Sequence, residues 1–255
     1  MTEVASETAV YVYGIVPADV ETDPDARGVG DPPAAVTTVR GERVAALVSE
    51  VSRDEPLGRP EDLTAHAGLL DAAAAEVPVL PVRFGAVLPD ENAVAEELLK
   101  ANEDEFAAAL AELEGKAQYV VKARYVEKAV LGEILDENPE LARLRDEIRD
   151  KPEDVTRDQR IALGEQVGNA ITAKRTADTQ RMAEALNALG VEISPREPTH
   201  EEEAVHLACL AETAKQADLE AAVEELAQDW RGRVEVRLLG PLAAYDFVVT
   251  QRPGE

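Results

Sequence analysis

The chain is poor in cysteine, aromatic side chains, histidine and basic charge. Its single cysteine, Cys209, among 255 residues leaves no partner for an internal disulfide and no CxxC pair for a metal. Set in the apolar run 204–211, Cys209 reads as a small core residue. Aromatics make up 4% and hydrophobic residues 45%, so the core has to be assembled from many small valine and alanine side chains. No window approaches 18 uncharged apolar residues, so no membrane-spanning segment is expected. The opening MTEVASETAV has neither a basic nor an apolar stretch, so no secretory leader is expected and the expected location is the cytoplasm.

Acidic residues number 52 against 26 basic ones, for a net charge of −26. That balance argues against nucleic-acid binding, which needs phosphate neutralisation by Lys and Arg, and against docking on an anionic membrane. Arginine outnumbers lysine 19 to 7. Strong acidity with little lysine is a pattern of cytosolic proteins from salt-loving organisms, where dissolved salt screens self-repulsion. The expected behaviour is a fold that loosens when salt is removed; circular dichroism unchanged between molar and millimolar salt would contradict it.

Motifs for catalysis and metal binding are also missing. His200-Glu201-Glu202-Glu203 resembles the start of a zinc-protease helix, but that motif needs a second histidine four residues after the first, and His206 stands six on. Asp23-Pro24-Asp25-Ala26-Arg27-Gly28-Val29-Gly30-Asp31 spaces its carboxylates without the closing glutamate of a calcium loop, position twelve being Ala34, and is read as a solvated loop. Gly28-Val29-Gly30 lacks the third glycine of a dinucleotide fingerprint. No phosphate-binding P-loop, nucleophile elbow or cysteine–histidine pairing is present. No enzyme, metal or cofactor is therefore expected.

What is present is a sequence of β-rich runs and helices. Residues 9–16 form a strand, 18–33 an exposed loop, and 36–39 with 43–51 a hairpin that places Val44, Ala46 and Val48 on one face. A helix is expected from Pro60 to about Glu76. A strand over 77–88 is broken by Pro78 and Pro81, and prolines there imply an edge or a bulge. A continuous helix is expected from Glu91 to about Glu114.

The second half gives a strand at 117–126, short charged helices at 127–135 and 139–150, and a long helix at 157–189. On that helix Ile161, Val167, Ala170, Ile171, Met182, Leu186 and Leu189 fall near helical spacing. Strands at 191–195 and 203–211, a helix at 218–230 and a strand at 233–239 complete it. Without the two short helices the order is β-α-β-β-α-β, the split βαβ arrangement of ferredoxin-like folds. The expected class is α+β in two domains: a mixed α/β sheet domain at 1–115 and a ferredoxin-like domain with inserted helices at 116–255.

The closing RVEVRLLGPLAAYDFVVT is the most informative stretch. It alternates Val234, Val236 and Leu238 against Glu235 and Arg237. Gly240-Pro241 is expected to end that strand, and a second strand to run over 245–250 with the Tyr245 and Phe247 rings on one face.

Four blocks in order carry a resemblance: Tyr11-Val12-Tyr13-Gly14-Ile15-Val16; Val79-Leu80-Pro81-Val82-Arg83-Phe84-Gly85; Gly164-Glu165 followed by Lys174-Arg175; and Gly240-Pro241 with Tyr245-Asp246-Phe247. Together they resemble the gas vesicle protein F/L family over nearly the whole chain. Leu242-Ala243-Ala244 departs from it, since the family often places Trp and extra Pro after the Gly-Pro. Chain length leans towards the L type.

The resemblance implies an accessory or minor structural protein of gas vesicle assembly. Its partners would be the small hydrophobic shell protein and other accessory proteins. Gly14, Gly85, Gly240, Pro241, Tyr245 and Phe247 are the expected structural positions. Tyr11, Tyr13, Arg83 and Phe84 are the expected partner contacts. Two alternatives stay open at individual residues. Tyr11 and Tyr13, opposite Val10 and Val12, are either core or an exposed aromatic pair. Arg83 either faces solvent beside core-facing Val82 and Phe84 or is half-buried at an interface, and Lys174-Arg175 either lies on a solvated face or anchors the fold internally. A second function class, a small-molecule-binding or enzymatic ferredoxin-like domain with an inter-domain cleft, would rely on Arg83, His66 and scattered carboxylates.

Overall fold

The computed structural model describes residues 8–54 and 56–248. Two compact units emerge, one of Met1–Tyr119, Leu210–Ala214 and Gly240–Glu255, the other of Val120–Cys209 and Lys215–Leu239. The protein is a mixed α+β fold with two antiparallel sheets.

Strand β1 (Thr8–Pro17) is the centre of the first sheet. It is followed by β2 (Thr37–Arg40), β3 (Val44–Ser52), helix α1 (Pro60–Ala74), and the two-residue strands β4 (Leu80–Pro81) and β5 (Val87–Leu88). The sheet order is β2-β3-β1-β4, with β5 also paired to β1 and all pairings antiparallel. The prolines of 77–88 thus cut the expected strand into two short edge pairings, because a proline cannot donate to the ladder.

Both faces of β1 are covered. Val10, Val12 and Ile15 join Val44, Ala46 and Val48 in one cluster, while Ala9, Tyr11, Tyr13 and Val16 join Ala45, Leu47 and Val51 in the other. The expected alternation therefore holds up to Tyr13. The register then shifts by one between Val12 and Gly14, a bulge that reverses which face each later residue meets.

One cluster is closed by Leu70 and Ala74 of α1. The other is closed by Val94, Leu98, Leu99, Leu110 and Leu113. These come from the segment expected as a single helix. It is instead α2 (Glu91–Ala93), a π-helical turn Val94–Leu99, a 3₁₀ turn Lys100–Asn102 and α3 (Glu103–Leu113). Leu98 and Leu99 are adjacent and both buried, and the wider i→i+5 turn lets neighbouring side chains face one core. Burying each such leucine is worth about 1.5–3 kcal/mol.

In chain order there follow β6 (Lys116–Tyr125), α4 (Glu127–Glu137), α5 (Pro139–Arg149), α6 (Glu153–Asn187), β7 (Glu192–Pro195), β8 (Glu203–Glu212), α7 (Gln216–Asp229) and β9 (Val234–Leu242). Their sheet order is β7-β8-β6-β9. Helix α6, 35 residues long, extends roughly 52 Å at 1.5 Å per residue. Only Thr156, Asp178, Met182 and Leu186 are buried on it, and Ile161 is half exposed. Helical spacing thus located the helix, while burial is confined to its ends. Cys209 is fully buried on β8.

Two expectations for the closing segment are corrected. β9 continues through Gly240 and Pro241 to Leu242. An edge strand tolerates a proline because no partner on that side needs its N–H. Gly240 has φ +140, and a Cβ there would stand 2.5 Å from Tyr119 Cδ1, so glycine lets the backbone press against that ring. Residues 245–248 form a turn and bend, not a strand, and 249–250 lie outside the described residues.

Candidate functional site

Tyr11 and Tyr13 leave β1 on the same face, two residues apart, and both are completely buried. This resolves the open alternative in favour of core, and corrects the expectation that they form a partner-contact pair. Their rings pack 4.8 Å apart, with His66 of α1 5.7 Å from each and Phe84 5.8 Å from Tyr11. Such tilted and edge-on arrangements suit the aromatic quadrupole.

The polar atoms of this cluster are all engaged. Tyr11 Oη is 2.9 Å from His66 Nδ1 and accepts from the Gly85 N–H at 3.1 Å. His66 Nε2 lies 3.1 Å from the Val82 carbonyl and 3.0 Å from Tyr245 Oη. A carbonyl only accepts, so Nε2 carries the proton and Nδ1 accepts from Tyr11. Tyr13 donates to Ser49 Oγ at 2.9 Å and accepts from the Val29 N–H at 2.9 Å, and Ser49 donates onward to the Ala35 carbonyl. Burial raises the phenol pKa of Tyr11 and Tyr13 and pushes Tyr245 up to about 12. Burial also lowers that of His66, so the neutral tautomer the geometry requires is the one the environment favours.

A pH test follows. Because the folded His66 pKa lies below its unfolded value, the unfolded chain binds more protons as pH falls through about 6.5. The stability held by neutral His66 is complete above that value and is lost progressively towards the folded pKa. Urea midpoints measured from pH 8 to pH 5 should fall more steeply for the native chain than for His66→Gln, and parallel curves would refute this.

Above the buried pair the chain turns outwards. Arg83 and Gly85 are exposed, Phe84 is half-buried, Val87 is 44% exposed and Tyr245 37% exposed. Val82 is buried beside them, so Arg83 takes the solvent-facing alternative. Phe84 lies 5.6 Å from His66, Tyr245 bonds to it, and Val87 pairs with Tyr11. The result is a rim of apolar groups and one cation over a rigid polar-aromatic base.

The closing segment is pinned here. Ala243 N–H donates to Asp71 Oδ1 at 2.9 Å, and Asp246 N–H to Gln118 Oε1 at 3.0 Å. Tyr245 turns to His66 while Phe247 packs on the opposite cluster, so the two rings do not share a face. Gly14 is structural by space: a Cβ there would stand 2.8 Å from the Leu80 carbonyl. Gly85 has φ +91, a conformation that favours glycine.

Sequence reasoning missed four contributors. Ser49 lies on a strand and is fully buried. Gly28 presses so closely on Tyr13 Oη that no side chain fits. Asp71 holds Ala243. Asp62, 2% exposed, accepts from Gly30, Gly58 and Arg59 N–H groups and from the Arg59 side chain. The Arg59 hydrogen bond first, then the Gly30 amide, hold its carboxyl well below the usual range. Only the three-residue spacing Arg59–Asp62, N-cap to third helical position of α1, which forms a capping box, signalled the last of these.

The second unit has its own ionic network. Arg233 grips Asp178 through two guanidinium nitrogens at 3.1 and 2.8 Å, and reaches Glu133 at 2.6 Å. Lys174 donates to Glu133 at 2.6 Å and to Glu137 at 2.8 Å, and Tyr125 donates to Asp178 at 2.7 Å. Arg175 donates to the carbonyls of Glu203 and Glu201, each at 2.7 Å. Lys174-Arg175 thus takes the internal-anchor alternative. Burial alone would raise the Glu133 pKa, but its bonds from Lys174 and Arg233 outweigh that and lower it.

His206 Nδ1 lies 3.5 Å from Glu203 and His200 sits in a loop. Among the described residues no group of three or more His, Cys, Asp or Glu side chains is placed to hold a metal, and no helix is long and apolar enough to cross a membrane.

Comparison with known proteins places this architecture. The profile described as "Gas vesicle synthesis protein GvpL/GvpF" matches residues 9–249. The chain is 35% identical to gas vesicle protein F of Streptomyces sp. (strain CB03234), over 94% of this chain and 99% of the relative, and 24% identical to that of Dolichospermum flosaquae, over 93% and 96%. The crystal structure of GvpF from Anabaena sp. PCC7120 superposes with a TM-score of 0.79 at 22% identity, covering 96% of this chain and 99% of that one. That of GvpF from Microcystis aeruginosa gives 0.72 at 22% identity, covering 94% and 98%. All four carry the F name, against the lean towards L drawn from length. With the fold and the sequence matched from β1 to the closing segment, the chain belongs to the gas vesicle synthesis protein GvpL/GvpF family.

Proposed function

We propose that this protein is an accessory factor of gas vesicle assembly that binds the hydrophobic shell protein and keeps its apolar surface from aggregating before it is incorporated. The observation that carries this is the family match over residues 9–249. A physical motive supports it: an unassembled hydrophobic subunit exposes the surface that drives non-specific association. Other accessory proteins of the same assembly are the remaining partners, and the site of action is the cytoplasm at the gas vesicle.

The contact surface we assign is the rim of Arg83, Phe84, Val87 and Tyr245. It combines exposed apolar area with a rigid base, the combination that makes interface anchors effective. The β-α-β-β-α-β order of β6 to β9, with sheet order β7-β8-β6-β9, supports reading the second unit as a ferredoxin-like module. The alternative of a small-molecule site built on His66 loses its polar group, because both ring nitrogens are already bonded inside the core.

The test is capture of shell protein by the tagged full chain, repeated with Arg83→Glu/Phe84→Ser. Those positions are exposed and half-buried, so the variant should fold, as circular dichroism will check, and should lose at least tenfold in captured shell protein. A folded variant that captures as well as the native chain would overturn the surface assignment.

A further inference from the structure

Among the described residues, strand β9 is the last strand on its side of the second sheet and pairs with β6 alone. Over residues 234–239 its burial alternates. Val234 is buried and Val236 and Leu238 half-buried, while Glu235, Arg237 and Leu239 are exposed. Its far edge therefore offers a row of backbone N–H and C=O groups for another strand, the feature that soluble proteins usually blunt. The usual devices are charged side chains, edge prolines and bulges, and β9 carries Glu235, Arg237 and, near its end, Pro241. Here the two exposed charges are opposite, and neither makes an ion pair among the described residues, although Lys122 and Arg124 line the same open face.

We propose that β9 pairs antiparallel with β9 of a second copy of this chain, centred on Val236. The charge pattern selects both the occupant and the register. A two-fold axis perpendicular to a continuous sheet keeps each residue on its own face, so a residue must oppose itself at the axis. Centring on Val236 sets Glu235 against Arg237 of the other copy, twice by symmetry, and Val234 against Leu238. Centring on Glu235 or on Arg237 instead sets like charges directly opposite, which destabilises a sheet. Pairing ends at Pro241, which has no N–H to give. The interface is small, a strand pair with two ion pairs, so the dimer is weak and concentration-dependent.

Sedimentation equilibrium of the full chain tests this, from micromolar to near-millimolar loading, at about 0.15 M ionic strength where screening sets in within about 8 Å. The expected result is a mass rising from one chain towards two. Arg237→Glu and Glu235→Arg should each raise the dissociation constant about tenfold, since two opposed pairs become two like pairs. These two single variants change net charge in opposite directions, so a shared weakening cannot come from overall repulsion. The double variant E235R/R237E restores complementarity and should return the constant to within about threefold of the native value. A mass of one chain at every concentration would overturn the proposal. So would a dimer that either single variant leaves unchanged, or one that the double variant fails to restore.

Discussion

Asp178→Ala is expected to lower the free energy of unfolding by about 3 kcal/mol. Asp178 receives two guanidinium nitrogens of Arg233 and the Tyr125 hydroxyl. Its side chain is 11% exposed and that of Arg233 23%, so solvent can replace little of what is lost. The Arg233 guanidinium also lies 5.5 Å over the Tyr125 ring and would be left with Glu133 as its one carboxylate. Removing one partner strands the other charge, whereas removing both does not. The double variant Asp178→Leu/Arg233→Met should therefore cost less than the sum of its two single changes. Guanidinium unfolding curves of the four proteins decide it; additive losses would show that the pair is not coupled.

Gly28→Ala should be the most damaging change to a residue without a side chain. A Cβ there would stand 1.7 Å from Tyr13 Oη and 2.5 Å from its Cζ. Tyr13 cannot withdraw, because it is fully buried and fixed by Ser49 and Val29. The loop must shift instead, breaking the Val29–Tyr13 bond. The loss is expected at or above the top of the usual overpacking range, about 3 kcal/mol. Tyr13→Phe removes the nearest atom but leaves Ser49 and Val29 short of a partner, costing about 1–3 kcal/mol. Combined, the two should cost less than their sum. An additive double-mutant cycle would mean that Gly28 matters for some reason other than its contact with Tyr13.

Much of this architecture is legible in the sequence because it depends on short-range pattern. The β1 alternation separates Tyr11 and Tyr13 from Val10 and Val12, and β3 groups Val44, Ala46 and Val48, as the two clusters bear out. Three features are not legible, each for a physical reason. The strand expected at 245–250 rested on two aromatic residues two apart. Contacts from Asp71, Gln118 and His66, between 128 and 179 positions away, override so brief a pattern. The π turn at Val94–Leu99 arises from packing adjacent leucines against one sheet, which helical periodicity does not encode. Tyr11 and Tyr13 looked equally suited to core or surface, since a tyrosine is apolar along its body and polar at its tip. What decides between them is the supply of hydrogen-bond partners, Ser49, His66 and the amides of Val29 and Gly85, gathered from four separate segments.

The most direct test of the central claim is co-expression of the tagged full chain with the gas vesicle shell protein at high salt, followed by affinity capture and gel filtration. A soluble complex containing both proteins is the predicted result, with shell protein precipitating when the tagged chain is omitted. Shell protein that precipitates equally in both cases, while this protein elutes folded and alone, would contradict direct binding.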